Sequence, residues 1–262
     1  MKTDKVIDHI VGWLKDYATN ARVNGFVVGV SGGIDSAVTS TLCAKTGLPT
    51  LCIEMPIHQA KSHVTRAQEH IKQLKERFEN VTDTRVDLTS VFEEFKTEIS
   101  LKGAQATVDM ALANTRARLR MTTLYYHAGL LGRLVAGTGN KVEDFGVGFY
   151  TKYGDGGVDL SPIADLMKSE VYMLGEALEV PTSIMKAAPS DGLFGDARSD
   201  EDQIGASYDE LEWAMHMNDE GKTVDDFTGR QQEVFKIYKR YNTANQHKMI
   251  PIPVCIIPQN LT

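Results

Sequence analysis

Cysteine is scarce in this 262-residue chain, which has only Cys43, Cys52 and Cys255. No two of them form a Cys-x-x-Cys pair, and their odd number and wide spacing argue against a disulfide framework and a cysteine-based zinc site. Cys52 lies in an apolar run typical of a strand, so we expect it in the core. A catalytic thiol, which requires an electropositive setting, is the alternative.

Long apolar runs and an excess of positive charge are also absent. No stretch approaches the roughly 20 apolar residues of a membrane span, and the N-terminal segment carries charges throughout an amphipathic helical pattern, unlike a secretion signal. We therefore expect a cytoplasmic protein that does not enter a membrane. The net charge of −7 argues against nonspecific binding of nucleic acid, although a local basic pocket is compatible with it.

Apolar runs alternate with helical patterns over residues 1–140. The predicted strands are 26–30, 51–55, 84–88 and 134–136, and the predicted helices are 4–18, 35–46, 61–78, 91–100 and 105–131. This order predicts an α/β fold in which a parallel sheet is flanked by helices on both faces. In such folds ligands bind at the carboxyl ends of the strands, where the stretches SGGIDS and GTGN lie.

The second half of the chain has a different pattern. We expect loops at 146–162 and 189–200, helices at 165–179, at 199 to about 216 and at 229–242, and an irregular proline-rich tail from His247 onward. We interpret the chain as one domain, with an α/β core at 1–145 and C-terminal helices and loops at 146–262 that complete the site. The 105–131 helix is apolar over much of its surface, which indicates either a dimer seam or a buried core helix.

The stretch VVGVSGGIDSAVTS has the pattern of a phosphate-binding loop. Gly32 and Gly33 permit positive φ angles and a close backbone approach, and the following helix points its positive end at the same place. The stretch matches neither GxxxxGK[ST] nor GxGxxG. Its pattern SGGxDS instead resembles the loop of synthetases that cleave ATP to AMP and pyrophosphate. The alternative is a tight strand–helix turn with Asp35 as a helix cap.

Asp35 places a negative charge beside a site for polyphosphate, which the carboxylate would repel. A bound Mg²⁺ removes this conflict, because the carboxylate then holds the metal and the metal holds the phosphates. Mg²⁺ usually takes one or two protein carboxylates together with phosphate oxygens, so we expect a second carboxylate from another strand end. Glu143, which follows the fourth predicted strand, is placed to supply it.

Four further stretches resemble ammonia-dependent NAD⁺ synthetases, and the resemblance extends from the N-terminal helix to the tail. They are NTRARLRM at 114–121, GTGNKVEDFGVGFYTKYGDGGVDLSPIADLMKSEVY at 137–172, APSD at 188–191 and HKMIPIP at 247–253. The resemblance implies a Rossmann-like sheet, a homodimer and Mg²⁺ as the cofactor. It also implies that ATP adenylylates the nicotinate carboxylate of deamido-NAD⁺, and that ammonia then displaces AMP to give NAD⁺.

The same resemblance, applied motif by motif, implies the functional residues of this chain. The ATP contacts would be Gly29, Val30, Ser31, Gly32, Gly33, Ile34, Asp35, Ser36, Thr138, Lys168 and Ser190, the Mg²⁺ ligands Asp35 and Glu143, and the deamido-NAD⁺ contacts Arg118, Lys152, Asp159, His247 and Lys248. Basic side chains suit a substrate with two phosphates and a carboxylate. The alternatives are solvated surface residues for the basic side chains and a turn residue for Asp159.

The chain departs from the family pattern at two positions. Ser190 stands where many members have threonine, which keeps the hydroxyl group. Glu54, at the end of the second predicted strand, stands where some relatives carry a basic residue near ATP, so the adenine and ribose contacts around 55–59 stay open. Residues 191–200, with two glycines as hinges, are either a lid that shields the adenylate from water or a plain surface loop.

Rival functions differ in what they require of the sequence. Glutamine-dependent relatives carry a glutaminase domain, which needs a second domain's length, so we expect free ammonia as the donor. A tRNA-modifying enzyme with the same loop should show a basic face or a cysteine cluster, and neither is visible. A nucleotide-binding regulatory domain is the rival from another class, but binding of AMP alone needs no pair of metal-binding carboxylates.

Overall fold

The structure is a computed structural model that describes residues 1–59, 61–99, 102–189 and 199–261. Its strands are β1 (Phe26–Gly29), β2 (Thr50–Glu54), β3 (Val81–Arg85) and β4 (Leu134–Val135). Its α-helices are α1 (Thr3–Ala21), α2 (Ile34–Lys45), α3 (Lys61–Arg77), α4 (Thr89–Glu98), α5 (Gln105–Leu131), α6 (Lys168–Ala177), α7 (Thr182–Met185), α8 (Asp200–Ile204), α9 (Tyr208–Asp219) and α10 (Gly229–Met249). The structure also has a π-helical turn at Val142–Val147 and 3-10 turns at Val224–Asp226 and Gln259–Leu261.

The strands form a parallel sheet in the order β3-β2-β1-β4. β1 lies in the interior, and its residue Phe26 is paired with Thr50 of β2 on one side and with Leu134 of β4 on the other. The chain moves outward from β1 to β2 and β3 and then crosses to the other side of β1. Ligands of open parallel sheets bind where the strand order reverses in this way, outside the carboxyl ends of the strands.

Both faces of the sheet are covered by helices, as the sequence predicts. Successive residues of β1 point to opposite faces, because an extended strand has a side-chain period of two. Phe26 and Val28 pack in a core with α1, α2 and α6, whereas Val27 packs in another core with α4 and α5. A strand that is buried on both faces is continuously apolar, which is why the run FVVG shows no alternation.

The C-terminal helices form a separate apolar cluster. Leu211 of α9 and Phe235 of α10 are buried there together with Val142 and Val147 of the π-helical turn. Six residues separate this turn from the end of β4, at the edge of the sheet where ligands bind. The cluster therefore fixes the position of the residues that the turn presents to that edge.

The third strand begins earlier than predicted. β3 pairs Val81 with Thr50 and ends at Arg85, so the prediction of a strand at 84–88 is wrong by three residues. β3 is an edge strand in which only Val81 is buried, and it therefore gives little apolar signal. Leu88, which suggested the later boundary, is instead buried just before α4.

Two predicted boundaries in the C-terminal half are also wrong. The helix expected from 199 to about 216 is interrupted at Gly205, whose φ of +89° ends α8 before α9 begins. The last helix, α10, continues to Met249, so the tail is irregular from Ile250 and not from His247. Pro251 then stops the helix, because a residue before proline is disfavoured in the helical conformation.

α5 has the predicted length, but it is not a buried core helix. Ala113, Ala117 and Ala128 are its buried residues, whereas Tyr126 and Leu130 are each 66% exposed. The alternative of a fully buried helix is therefore wrong for this chain, and an apolar face of α5 remains uncovered. Among the described residues, no helix combines the length and apolar character that crossing a membrane requires.

Candidate active site

The loop between β1 and α2 has the expected positive φ angle at Gly32 but not at Gly33. Gly32 has a φ of +82°, and a Cβ atom there would lie 2.6 Å from the carbonyl oxygen of His63, so only glycine fits. Gly33 has a φ of −98° and is the N-cap of α2. The first backbone N–H groups of α2 have no partner within the helix, and such groups favour an anion at the loop.

Ser31 and Ser36 hold this loop closed. The hydroxyl of Ser36 donates to the carbonyl of Gly33 at 3.0 Å and accepts from the backbone N–H of Ser31 at 3.2 Å. The hydroxyl of Ser31 accepts from the backbone N–H of Gly33 at 3.2 Å. These short-range hydrogen bonds shape the loop before any ligand binds, which lowers the cost of ordering it.

Lys168 is the buried centre of the candidate site. It is 3% exposed, and its Nζ lies 2.6 Å from Asp35 Oδ2 and 2.8 Å from Glu143 Oε1. The three residues come from the first turn of α6, the first turn of α2 and the π-helical turn. The two predicted metal-binding carboxylates therefore meet at one point, where a single cation already binds both of them.

Asp35 is not a helix cap. Its second oxygen, Oδ1, accepts a hydrogen bond from Asn140 Nδ2 at 2.9 Å, and the N-cap position belongs to Gly33. The alternative interpretation of Asp35 as a structural cap is therefore wrong. Its carboxylate is instead directed across the loop toward the end of β4.

Asn140 and Tyr208 orient the two carboxylates, and the sequence analysis did not single out either residue. Asn140 Oδ1 accepts from the backbone N–H of Glu143 at 3.2 Å while its amide group donates to Asp35. The hydroxyl of Tyr208 donates to Glu143 Oε1 at 2.6 Å, and Lys168 Nζ lies 4.6 Å from the centre of its ring. Asn140 is visible in the stretch GTGN, but nothing near Tyr208 in the sequence indicates its role.

The site holds more negative than positive charge. Burial by itself lowers the pKa of Lys168, but the carboxylates of Asp35 and Glu143 outweigh it and raise that pKa, so the ammonium group stays charged. Burial raises the pKa of Asp35, against the opposing effect of Lys168. Burial and the neighbouring carboxylates also raise the pKa of Asp144 to about 8. An additional cation would relieve this excess of negative charge.

These residues fit a Mg²⁺ ion. Asp35 and Glu143 supply convergent carboxylate oxygens. Within the described parts of the chain, no cluster of three or more His, Cys, Asp or Glu side chains is arranged to hold a metal. A pair of carboxylates, with the other positions left to phosphate oxygens and water, is the arrangement that Mg²⁺ prefers. The family resemblance implied ATP as the partner of Lys168, and the carboxylate pair provides another reason for the position of this lysine.

A cavity of about 870 Å³ lies next to these groups and is large enough for nucleotide substrates. Its polar lining includes the loop, Thr138, Glu143, Lys168 and Lys248. Its apolar lining includes Met55, Met110, Met121 and Leu124. The cavity therefore combines charged groups that suit phosphates with apolar groups that suit a planar base.

The structure brings four of the five predicted deamido-NAD⁺ contacts together. Arg118 Nη2 donates to the carbonyl of Lys152 at 3.3 Å, and Lys152 Nζ donates to the carbonyl of His247 at 2.5 Å. Lys248 Nζ donates to the carbonyls of Gly148 and Tyr150. Of these four side chains, Lys248 lines the cavity, and the others lie outside its wall.

The hydrogen bonds of Asp159 go to residues outside that group. Its carboxylate accepts from the hydroxyl of Tyr125 at 2.9 Å and from the backbone N–H of Val135 at 2.8 Å, so it joins α5 to β4. It does not line the cavity. Ser190 and nearly all of the candidate lid at 191–200 lie outside the described residues.

Comparison with known proteins identifies the family. Residues 6–251 match the family model described as NAD synthase. The chain belongs to the NAD synthase family. An NH(3)-dependent NAD(+) synthetase from Methanosarcina mazei is 34% identical over 260 residues, which cover 97% of this chain and 98% of that protein. The resemblance drawn from the motifs is thus confirmed, and the enzymes of other families that share the loop are no longer alternatives.

Two solved structures support the same assignment. NMN synthetase from Francisella tularensis has a TM-score of 0.83 and 32% identity to this chain, with 99% of each chain covered. NH3-dependent NAD synthetase from Campylobacter jejuni has a TM-score of 0.77 and 24% identity, with 98% of this chain and 100% of that chain covered. The second likeness shows the NAD synthase fold and confirms the predicted parallel sheet with its helical layers.

Proposed function

We propose that this protein converts deamido-NAD⁺, ATP and ammonia into NAD⁺, AMP and pyrophosphate. The observation that carries the proposal is the meeting of Asp35, Glu143 and Lys168 beside the SGGIDS loop in a chain of the NAD synthase family. A nucleotide-binding module would not need two carboxylates and a buried lysine at the phosphate end of its cavity. ATP as a substrate is consistent with a cytoplasmic location.

The proposed chemistry has two steps that balance without a protein nucleophile. An oxygen of the nicotinate carboxylate attacks the α-phosphorus of ATP, the bond to the bridging oxygen breaks, and pyrophosphate leaves. Ammonia then attacks the acyl carbon, the bond to AMP breaks, and a proton is lost to give the amide. Both steps build negative charge on phosphate oxygens, so positively charged groups and N–H donors stabilise them.

The residues of the loop and α6 have distinct proposed roles. The backbone N–H groups of the loop hold the departing pyrophosphate, and Lys168 offsets negative charge at the phosphates. Asp35 and Glu143 hold Mg²⁺, which supplies charge neutralisation to the polyphosphate when bound. Ser190 and Thr138 contact ATP, and the basic residues Arg118, Lys152, His247 and Lys248 with Asp159 contact deamido-NAD⁺.

We also propose that the protein is a homodimer with α5 at the interface. Two of the exposed apolar residues of α5, Tyr126 and Leu130, are each 66% exposed and lie four positions apart, on one face of the helix. A contiguous apolar face of this kind is typical of an interaction surface. Asp159 and its partner Tyr125 lie beside this face, so a second copy would bring its surface close to one proposed substrate contact.

A second candidate acceptor is the mononucleotide acid that corresponds to NMN. The observation that favours it is the 32% identity, over 99% of the chain, to the NMN synthetase from Francisella tularensis. The same adenylylation and amidation would apply, because the reacting carboxylate is the same. The two candidates differ in whether the site also binds the adenylate half of the dinucleotide.

The deciding experiment measures pyrophosphate release from ATP, Mg²⁺ and ammonium with deamido-NAD⁺, with nicotinate mononucleotide or with neither acid. NAD⁺ and NMN are followed by chromatography in the same reactions. Release that depends on deamido-NAD⁺ and matches NAD⁺ formation is the expected result. A kcat/KM for the mononucleotide at least tenfold higher would favour the second candidate, and no release with either acid would contradict both.

A further inference from the structure

Glu54 is a buried carboxylate at the nucleotide cavity that the proposed mechanism does not use. It is the last residue of β2, it is 6% exposed, and it lies in the cavity wall. Its Oε1 is buried and receives no hydrogen bond from the described residues. A buried carboxylate oxygen without a donor costs free energy, so the position calls for a ligand group that donates to it.

The neighbours of Glu54 leave this oxygen available. Gln68 Nε2 donates to the other oxygen, Oε2, at 3.3 Å. The Nε of Arg85 lies 3.9 Å from Oε1, which is beyond hydrogen-bond distance, and that arginine side chain is 50% exposed. A partly exposed cation at this distance offsets the charge of Glu54 without supplying the missing hydrogen bond.

Glu54 lies next to the start of the phosphate-binding loop. Ile53, the preceding residue, pairs with Gly29 and accepts a hydrogen bond from the backbone N–H of Val30 at 2.9 Å. On its other side, Gln68 follows Ala67, whose backbone nitrogen would lie 3.0 Å from a Cβ atom placed at Gly32. A ligand group bound at Glu54 is therefore close to phosphates that the loop binds. In a nucleotide, the group next to the phosphates is the sugar.

We propose that Glu54 Oε1 accepts a hydrogen bond from a ribose hydroxyl of ATP and so determines the preference for a ribonucleotide; this inference rests on the proposed function. A carboxylate supplies only acceptors, whereas the edge of adenine needs both an acceptor and a donor. The neighbouring backbone acceptors are occupied, since the carbonyl of Met55 accepts from Arg120 at 3.0 Å and that of Glu54 from Val86 at 2.9 Å. An acidic residue at the end of the second strand binds ribose in the same way in dinucleotide-binding sheets.

The test compares ATP with 2′-deoxy-ATP and 3′-deoxy-ATP as substrates, using kcat/KM for pyrophosphate release with deamido-NAD⁺. The native protein should prefer ATP over at least one of the two deoxy analogues by roughly 10- to 100-fold, the range for a hydrogen bond to a charged group. Glu54→Met, which keeps the length of the side chain and removes the acceptor, should reduce this preference to about threefold or less. The preference of Glu54→Gln, which has a neutral acceptor, should lie between that of the native protein and that of Glu54→Met.

Controls separate this role from a structural one. Glu79→Gln removes an exposed carboxylate and should keep the native preference for ATP over its deoxy analogues. The ratio of ATP to inosine triphosphate should not change in Glu54→Met, because the base is not involved. Equal use of ATP and both deoxy analogues by the native protein would overturn the proposal, as would a change in the inosine ratio alone.

Further measurements cover two cases: a variant that does not fold, and a native protein that releases no pyrophosphate. If Glu54→Met does not fold, the native protein and Glu54→Gln still test the preference. If the native protein releases no pyrophosphate from ATP, the proposed function fails, and calorimetry of ATP and its deoxy analogues binding to the native protein and to Glu54→Gln then tests the contact itself. Affinities for ATP and both deoxy analogues within about threefold of each other would then overturn the role of Glu54.

Discussion

Lys168 Nζ lies 2.6 Å from Asp35 Oδ2, although the two residues are 133 positions apart in the chain. Both are first-turn residues, of α6 and α2, and these helices pack on the same face of the sheet. The ion pair therefore joins the phosphate-binding loop to the second half of the chain. Glu143 binds the same ammonium group from the π-helical turn, so the site consists of three elements held by one buried charge.

Replacing Asp35 should lower the enzymatic activity without lowering the stability of the protein. In Asp35→Asn, we expect pyrophosphate release to fall at least about 100-fold, because one of the two proposed metal-binding carboxylates is lost. The melting temperature should stay the same or rise, since the remaining pair of Glu143 and Lys168 is neutral. Asp165→Asn, at a carboxylate that is 97% exposed, should leave both quantities unchanged. Native turnover in Asp35→Asn would contradict the metal-binding role.

Replacing Lys168 should affect stability as well. In Lys168→Met, the two carboxylates lose their shared cation inside the protein, and the free energy of unfolding should fall by about 3–5 kcal/mol. Lys141 forms a 3.0 Å ion pair with the exposed Asp165, so Lys141→Met should cost less than about 1 kcal/mol. Urea unfolding at neutral pH measures both values. Equal losses of stability in the two variants would contradict the conclusion that Lys168 is a buried cation shared by two carboxylates.

His70 should make the protein sensitive to acid. It is 1% exposed, and burial together with the charge of Arg77 lowers its pKa to about 4 from the ordinary value of 6.5. The unfolded chain therefore binds a proton more readily than the folded one between these two values. The stability is fully present above pH 6.5 and is lost as the pH falls toward 4, by about 2 kcal/mol between pH 7 and pH 5.

Urea unfolding at pH 7 and pH 5 measures this effect. His70→Gln should lose less stability than the native protein between the two pH values, because it removes the group that takes up the proton. His216→Gln, at an imidazole that is 69% exposed, serves as the matched control and should retain the native difference. The same pH dependence in His70→Gln and the native protein would exclude His70 as its source.

Disrupting the apolar face of α5 should release monomers. Leu130→Glu places a charge on a residue that is 66% exposed, and we expect light scattering at micromolar concentration to give the mass of one chain. Met173→Glu, at a residue 47% exposed on α6, should leave the dimer intact, because α6 packs on the opposite face of the sheet. A native protein that is already monomeric would contradict the proposed interface.

Local patterns predicted the parts of this protein that depend on neighbours in the sequence. The run before SGGIDS predicts a strand that is buried on both faces, and β1 is buried in this way. Glycine at position 32 predicts a backbone conformation that other residues rarely adopt, and its φ is +82°. Where the local signal was weak, as in β3, or misleading, as at Gly205, the predicted boundaries were wrong.

The sequence by itself determined the parallel sheet and the positive φ angle of the loop at Gly32, and it predicted that the carboxylates of Asp35 and Glu143 lie together. The tertiary structure alone decided that Lys168 joins those carboxylates, that Tyr208 donates to Glu143 across 65 positions, and that Asp159 joins α5 to β4. Strand and helix periods reflect the chain's own geometry over a few residues. Ion pairs and hydrogen bonds between distant segments depend on how the elements pack, which no local period records.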